Sequence, residues 1–185
     1  MRQYAISDRR ALGGPERLPA WVAELEKAGV DLVQIREKDL PADQLIRVVT
    51  ACLTRCRTIR LLVNTRVDVA LACGAHGAHL PASSPPPSVW RRIVPPGFLF
   101  GVSCHSLDEA GAAQAGGADF VVLAPVFDPL SKPADRPPLG VAELRRISNL
   151  VPIPIFALGG VTRQNATECL AAGAAGIAGI SLYRA

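Results

Sequence analysis

Hydrophobic positions along the chain fall into short apolar runs separated by amphipathic stretches, and four of the runs open in the same way. Lys27-Ala-Gly-Val-Asp-Leu-Val, Ala72-Cys-Gly-Ala-His-Gly-Ala-His-Leu, Ala115-Gly-Gly-Ala-Asp-Phe-Val-Val-Leu and Ala171-Ala-Gly-Ala-Ala-Gly-Ile-Ala-Gly-Ile each read as a helix end, a Gly stop and a short buried strand. With Gly29, Gly74, Gly117 and Gly173 as markers the intervals are 45, 43 and 56 residues, too long for one strand–helix unit and about right for two. Four double units make eight strands. The intervening strands are predicted at Arg2–Ser7, Arg60–Val63, Phe98–Ser103 and Ile153–Leu158. Helices are predicted over Pro15–Ala28, Ala42–Arg57, Arg66–Cys73, Ser88–Val94, Leu107–Gly116, Val141–Leu150 and Thr162–Ala172.

Buried strands alternating with helices imply parallel pairing through right-handed crossovers, which leaves a closed barrel or an open doubly wound sheet. The eightfold count favours a TIM (β/α)8 barrel. An open sheet is disfavoured because Tyr4-Ala-Ile-Ser-Asp-Arg-Arg, after the first strand, lacks G-x-G-x-x-G. The 185 residues are read as one domain, 1–185, short for a fold that typically takes about 250. The sequence ends at Ser181-Leu-Tyr-Arg-Ala185, just past the eighth strand, so the final helix is expected to be missing. An uncovered last strand in turn predicts a homo-oligomer.

Composition narrows the class. The chain is 49% apolar and 19% charged, without a run near the roughly 20 apolar residues of a membrane span and without a signal-like start, which predicts a soluble, cytoplasmic protein with no membrane partner. Cys52, Cys56, Cys73, Cys104 and Cys169 form an odd set with no metal-site spacing and read as reduced structural thiols. Net charge is +4, but the basic residues lie in scattered pairs among acids, and aromatics are only 5%, which argues against a nucleic-acid partner. The excess suits an anionic small molecule.

In a parallel barrel the loops after the strands share one rim, where polar residues distant in sequence converge. Gln34, Arg36 and Lys38 follow at a spacing of two and should share one face towards the rim cavity. A cation there needs an anionic ligand or an internal Arg36–Glu pair. Asn64 and Ser103 are small groups able to reach phosphate oxygens or to cap turns. Ser106, three residues before Glu109, has the form of a capping box. The Pro-rich loop after strand six carries Ser131 and Lys132. Gly159 and Gly160, ahead of a helix expected from Thr162, form an anion seat to which Ser181 adds a donor from the next strand. His76 and His79 fall on opposite faces with no carboxylate cluster, so no metal site is read there. Cys104 reads as a buried, inert thiol. The catalytic residue is left open, with His105 as its candidate.

Six segments together resemble the thiamine-phosphate synthase/TenI family. They are Tyr4-Ala-Ile-Ser-Asp-Arg, Val33-Gln-Ile-Arg-Glu-Lys38, Val63-Asn-Thr-Arg-Val-Asp-Val-Ala-Leu71, Gly101-Val-Ser-Cys-His-Ser106, Pro125-Val-Phe127 with Ser131-Lys132 and Pro138-Leu-Gly140, and Ile155-Phe-Ala-Leu-Gly-Gly-Val-Thr162. The resemblance implies a TIM barrel that binds a phosphorylated thiazole or pyrimidine. It also implies pyrophosphate contacts at Arg36, Lys38, Asn64, Ser103 and Lys132, and thiazole-phosphate contacts at Gly160, Ser131 and Ser181. Synthases of the family carry Asp at two magnesium positions, where this chain has Thr65 and the stretch Ala82-Ser83-Ser84. The TenI branch's catalytic His corresponds to Pro125. The expectation placed first is a TenI-like barrel, without a cofactor, that binds and tautomerises a thiazole phosphate. The second is a transferase forming thiamine phosphate, the one case that would call for Mg2+. The third is a non-catalytic, regulatory phosphate-ligand barrel.

Overall fold

The computed structural model describes residues 1–128 and 136–184. Its strands are β1 (Arg2–Ile6), β2 (Leu32–Ile35), β3 (Arg60–Asn64), β4 (Gly77–Leu80), β5 (Leu99–Cys104), β6 (Phe120–Leu123), β7 (Ile155–Ala157) and β8 (Gly176–Gly179). They pair in parallel in chain order, and β8 returns to β1 to close the barrel. The TIM barrel is therefore present, with α1 (Arg9–Leu12) and α2 (Leu18–Lys27) after β1 and single helices after the next six strands. These are α3 (Ala42–Leu53), α4 (Val67–Cys73), α5 (Pro87–Trp90), α6 (Leu107–Ala115), α7 (Gly140–Leu150) and α8 (Ala166–Ala171).

Three local readings need correction. The helix expected over Pro15–Ala28 is preceded by a separate turn, α1, whose N-terminus is capped by Asp8; Gly13 at φ +93° and Gly14 at φ +139° end it. β2 stops at Ile35, so Arg36 and Lys38 belong to the following loop rather than to the strand. The helix expected from Thr162 begins only at Ala166. There the Asn165 Oδ1 accepts the Thr162 N–H at 2.7 Å, and a side chain that captures its own neighbouring backbone competes with helix formation.

After β8, the described residues form only a 3₁₀ turn, Ser181–Tyr183. Leu182 and Tyr183 pack against the core, the Trp21 Nε1–H donates to the Tyr183 carbonyl at 2.8 Å, and Arg184 pairs with Asp8 at 2.7 Å.

Period-two alternation divides the side chains into two layers. Ala5, Val33, Ile35, Leu61, Val63, Val121 and Leu123 face outward into the apolar layer beneath the helices. Tyr4, Ile6, Leu32, Leu62, Phe120, Val122, Phe156 and Ala178 fill the interior. At its centre Tyr4, Phe120 and Phe156 meet edge to face, with ring centroids 5.3–5.8 Å apart. No helix among the described residues is long and apolar enough to cross a membrane.

Glu26, near the end of α2, holds the start of β3. Its carboxylate accepts the N–H groups of Arg57, Thr58 and Ile59 and the Thr58 hydroxyl, at 2.7–3.2 Å. Burial raises its pKa, but these bonds outweigh burial and hold the carboxyl down at about 2. A depressed folded value means that its stabilisation is complete above the ordinary carboxylate range, about pH 4.3, and is lost as pH falls from there towards 2. Replacing Glu26 by Gln should lower the melting temperature at pH 7. The gap from the parent should narrow steadily in melts taken at pH 5, 4 and 3.

Candidate active site

The rim is organised by charge. Ser7, at the end of β1, accepts the Arg36 N–H at 2.8 Å and donates to Glu37, fixing the β2 loop to the β1 loop. The carboxylates are taken by the neighbouring arginines: Arg9 reaches Glu37 at 3.0 Å and Asp39 at 2.6 Å, and Arg10 reaches Asp39 at 2.8 Å. Arg9 and then Arg10 hold the Asp39 carboxyl well below the usual range. Arg36 does not form the internal ion pair with Glu that the sequence left open; Glu37 turns to Arg9 instead. Among the described residues the half-buried Arg36 side chain has no carboxylate partner, and with the exposed Lys38 it lines a cavity of about 360 Å³ that also borders Ser7 and Ile180.

Gln34 parts company with these two. It is 1% exposed, inside the barrel, where its Nε2 donates to the Tyr4 hydroxyl at 2.9 Å. That hydroxyl lies 3.2 Å from His79 Nδ1, and His79 Nε2 lies 2.8 Å from Ser103 Oγ. A polar chain thus crosses the aromatic interior and ends at Ser103, which is half-buried. Gly101 makes the room, because a Cβ there would lie 2.7 Å from His79 Nδ1 and overlap the Phe120 ring. Burial, and to a lesser degree Arg36, push the His79 pKa down to about 3, so its imidazole is neutral at ordinary pH. From sequence His79 is weighed only as a metal ligand and set aside, although its inward parity on β4 and the glycine opposite in register offer a signal for the interior.

Asn64 stands at the end of β3, where its amide donates to Thr65 Oγ1 at 3.0 Å. Thr65 has φ +63°, a costly conformation for a β-branched residue, and spans a tight turn closed by the Arg66 N–H on the Asn64 carbonyl. Proteins usually hold a hard cation such as Mg2+ through one or two carboxylates. Neither Thr65 nor Ala82-Ser83-Ser84 supplies one, and among the described residues no three metal-ligating side chains come together. The residues present do not fit the metal.

At the β7 junction, Gly159 and Gly160 have φ +90° and +62°. Their first role is close packing: a Cβ at Gly159 would lie 2.7 Å from Pro125 Cα, and one at Gly160 would strike the Asp128 carbonyl and approach Phe127 Cβ to 2.7 Å. The N–H groups of Val126 and Phe127 bond to the Leu158 and Gly159 carbonyls. With no helix starting at Thr162, the dipole part of the expected anion seat is lost. The N–H groups of Gly159, Gly160 and Ser181 have no partner among the described residues. Ser181 itself is exposed on the adjacent strand end.

His105 turns to the helix layer. Both its N–H and its Nδ1 engage Glu109 Oε2, at 2.7 and 2.8 Å. Ser106 caps α6 as expected, but Glu109 reaches back to His105 rather than to Ser106, one residue off the reciprocal box. All five cysteines are free, and burial pushes the Cys104 thiol up to about 12. Ser131 and Lys132 lie outside the described residues.

At the strand ends of this (β/α)8 barrel, whose loops share one rim, the Arg36 side chain has no carboxylate partner and the N–H groups of Gly159, Gly160 and Ser181 have no partner among the described residues. The thiamine monophosphate synthase family profile matches residues 3–182. The chain is 41% identical over 181 residues to the thiamine-phosphate synthase of Methanoculleus marisnigri, covering 96% of this chain and 85% of that protein. It is 39% identical over 180 residues to that of Roseiflexus castenholzii, covering 96% and 78%. The solved thiamine phosphate pyrophosphorylase of Pyrococcus furiosus superposes with a TM-score of 0.84 at 33% identity, over 97% of this chain and 85% of that one. This chain belongs to the thiamine-phosphate synthase family.

Close packing at Gly160 also predicts what substitution does. Gly160→Ala should destabilise the fold by about 2 kcal/mol or more, through left-handed strain together with displacement of Phe127 and Asp128. For a chain of this size that is a fall in melting temperature of roughly 5 °C or more, readable by circular dichroism.

Proposed function

We propose that the chain is a thiamine-phosphate synthase, a transferase that joins an aminopyrimidine pyrophosphate to a thiazole phosphate at the strand-end rim. The bond between the pyrimidine's methylene carbon and the pyrophosphate oxygen breaks, pyrophosphate leaves with the electron pair, and the thiazole ring supplies the pair for the new bond. The observation that carries this reading is Arg36, half-buried above the barrel floor with its neighbouring acids already taken by Arg9 and Arg10. A guanidinium so placed can meet the charge that develops on departing pyrophosphate. Lys38, Asn64, Ser103 and Lys132 complete that side; Gly159, Gly160, Ser131 and Ser181 hold the thiazole phosphate. Gln34, sealed inside the barrel, supports Tyr4 from below.

The tautomerase expectation moves behind the synthase. The matched profile and the compared relatives are synthases, Pro125 stands where the TenI branch carries its catalytic His, and His105 is engaged by Glu109. With no carboxylates at the two magnesium positions, neutralising pyrophosphate falls to Arg36, Lys38 and Lys132.

Purified protein supplied with both substrates should form thiamine phosphate. Arg36→Ala should lower kcat/KM by about a hundredfold, the scale of a lost transition-state donor, with an unchanged melting temperature, and Arg36→Lys should recover part of it. Conversion of one thiazole phosphate tautomer to another without condensation would restore the tautomerase reading. Ligand binding without any turnover would leave a regulatory barrel.

A further inference from the structure

Resting on the synthase reading, we propose that Tyr4 and His79 are positioning residues that set the Ser103 hydroxyl as a hydrogen-bond donor to the substrate's pyrophosphate. Gln34, Tyr4, His79 and Ser103 come from four different strands, β2, β1, β4 and β5, and meet only because the barrel closes. Tyr4 is fully buried and His79 is 4% exposed, so each polar atom must be satisfied by another side chain.

The order of donors follows from the ends. Gln34 presents its amide N–H to the Tyr4 oxygen, so the Tyr4 proton must go to the remaining acceptor, His79 Nδ1. An imidazole that accepts at Nδ1 and is neutral carries its proton on Nε2 and donates it to Ser103 Oγ. Ser103 accepts from below, and its own proton is left to point towards the rim. There Arg36 brings positive charge and a phosphate oxygen is the matching acceptor. Removing the Tyr4 hydroxyl frees the imidazole to carry its proton on Nδ1 instead. Its Nε2 then accepts the Ser103 proton, turning that hydroxyl inward and costing the ligand a donor.

Two measurements on the full-length protein test this. In the first, the ¹⁵N-labelled His79 side chain is followed by long-range proton–nitrogen correlation. The expected signature is a neutral ring with its proton on Nε2, unchanged from pH 8 to pH 5; a proton on Nδ1, or protonation within that range, overturns the proposal. The second is a double-mutant cycle of Tyr4→Phe and Ser103→Ala, read as calorimetric affinity for inorganic pyrophosphate. Tyr4→Phe should weaken binding about tenfold in the parent, as loss of one donor does, and less than twofold in the Ser103→Ala background. An equal loss in both backgrounds, no loss in either, or a parent that does not bind pyrophosphate overturns it. Product formation keeps the two ideas apart: turnover with an additive cycle retains the synthase and removes the donor chain, whereas coupling with an Nε2 proton and no turnover does the reverse.

Discussion

Closure of eight parallel strands on one another is the constraint on which the rest depends. Pairing of β8 with β1 leaves an interior only as wide as the side chains that fill it, so each inward residue is chosen against its neighbours. Tyr4, Phe120 and Phe156 take the middle, and glycine is required at position 101 because His79 and Phe120 use the space a Cβ would need. A hydroxyl, an amide and an imidazole admitted to such an interior must satisfy one another, since leaving a buried polar group unpaired costs about 1–3 kcal/mol. The chain from Gln34 to Ser103 is the result. It ties the packed centre of the barrel to the rim where the proposed chemistry takes place.

The rim depends on a division of labour between arginines. Glu37 is buried and Asp39 follows two residues on, two carboxylates next to Arg36 and Lys38 in sequence. Arg9 and Arg10 occupy them, and Ser7 fixes the backbone of Arg36. Arg36 is thus held by its backbone, with no carboxylate partner for its side chain among the described residues. In the loop after β7, Gly159 and Gly160 let the β6 loop approach closely, and their N–H groups have no partner among the described residues.

Much of the architecture was written in local pattern. The Gly stops before the short apolar runs at Val30, Ala75, Ala118 and Ala174 have a purely local cause, the need for left-handed backbone at a helix end, and Gly29, Gly74, Gly117 and Gly173 all have positive φ. Eight strands, their alternation with helices, the barrel and the family could be read from that pattern and its motifs. The order of elements also put the glycine pair after β7, and Arg36 and Lys38 beside the end of β2 although in the loop and not on the strand, because in a parallel barrel sequence order alone sends those loops to one face.

What the chain pattern could not state is which group pairs with which. Glu37 is adjacent to Arg36 in sequence but bonds to Arg9, and Gln34 shares parity with Arg36 but lies below it, sealed in the barrel; both outcomes depend on how β1 and β2 align. His105 is the candidate from sequence, yet α6 places Glu109 beside its ring, while His79, weighed only as a metal ligand, falls in register with Gly101 and enters the centre. Local sequence determines the direction a residue points within its own element, since that follows from a period of two or 3.6. Partners are decided by register between strands distant in the chain, and register is set only when the barrel closes and every buried polar atom has to find a mate.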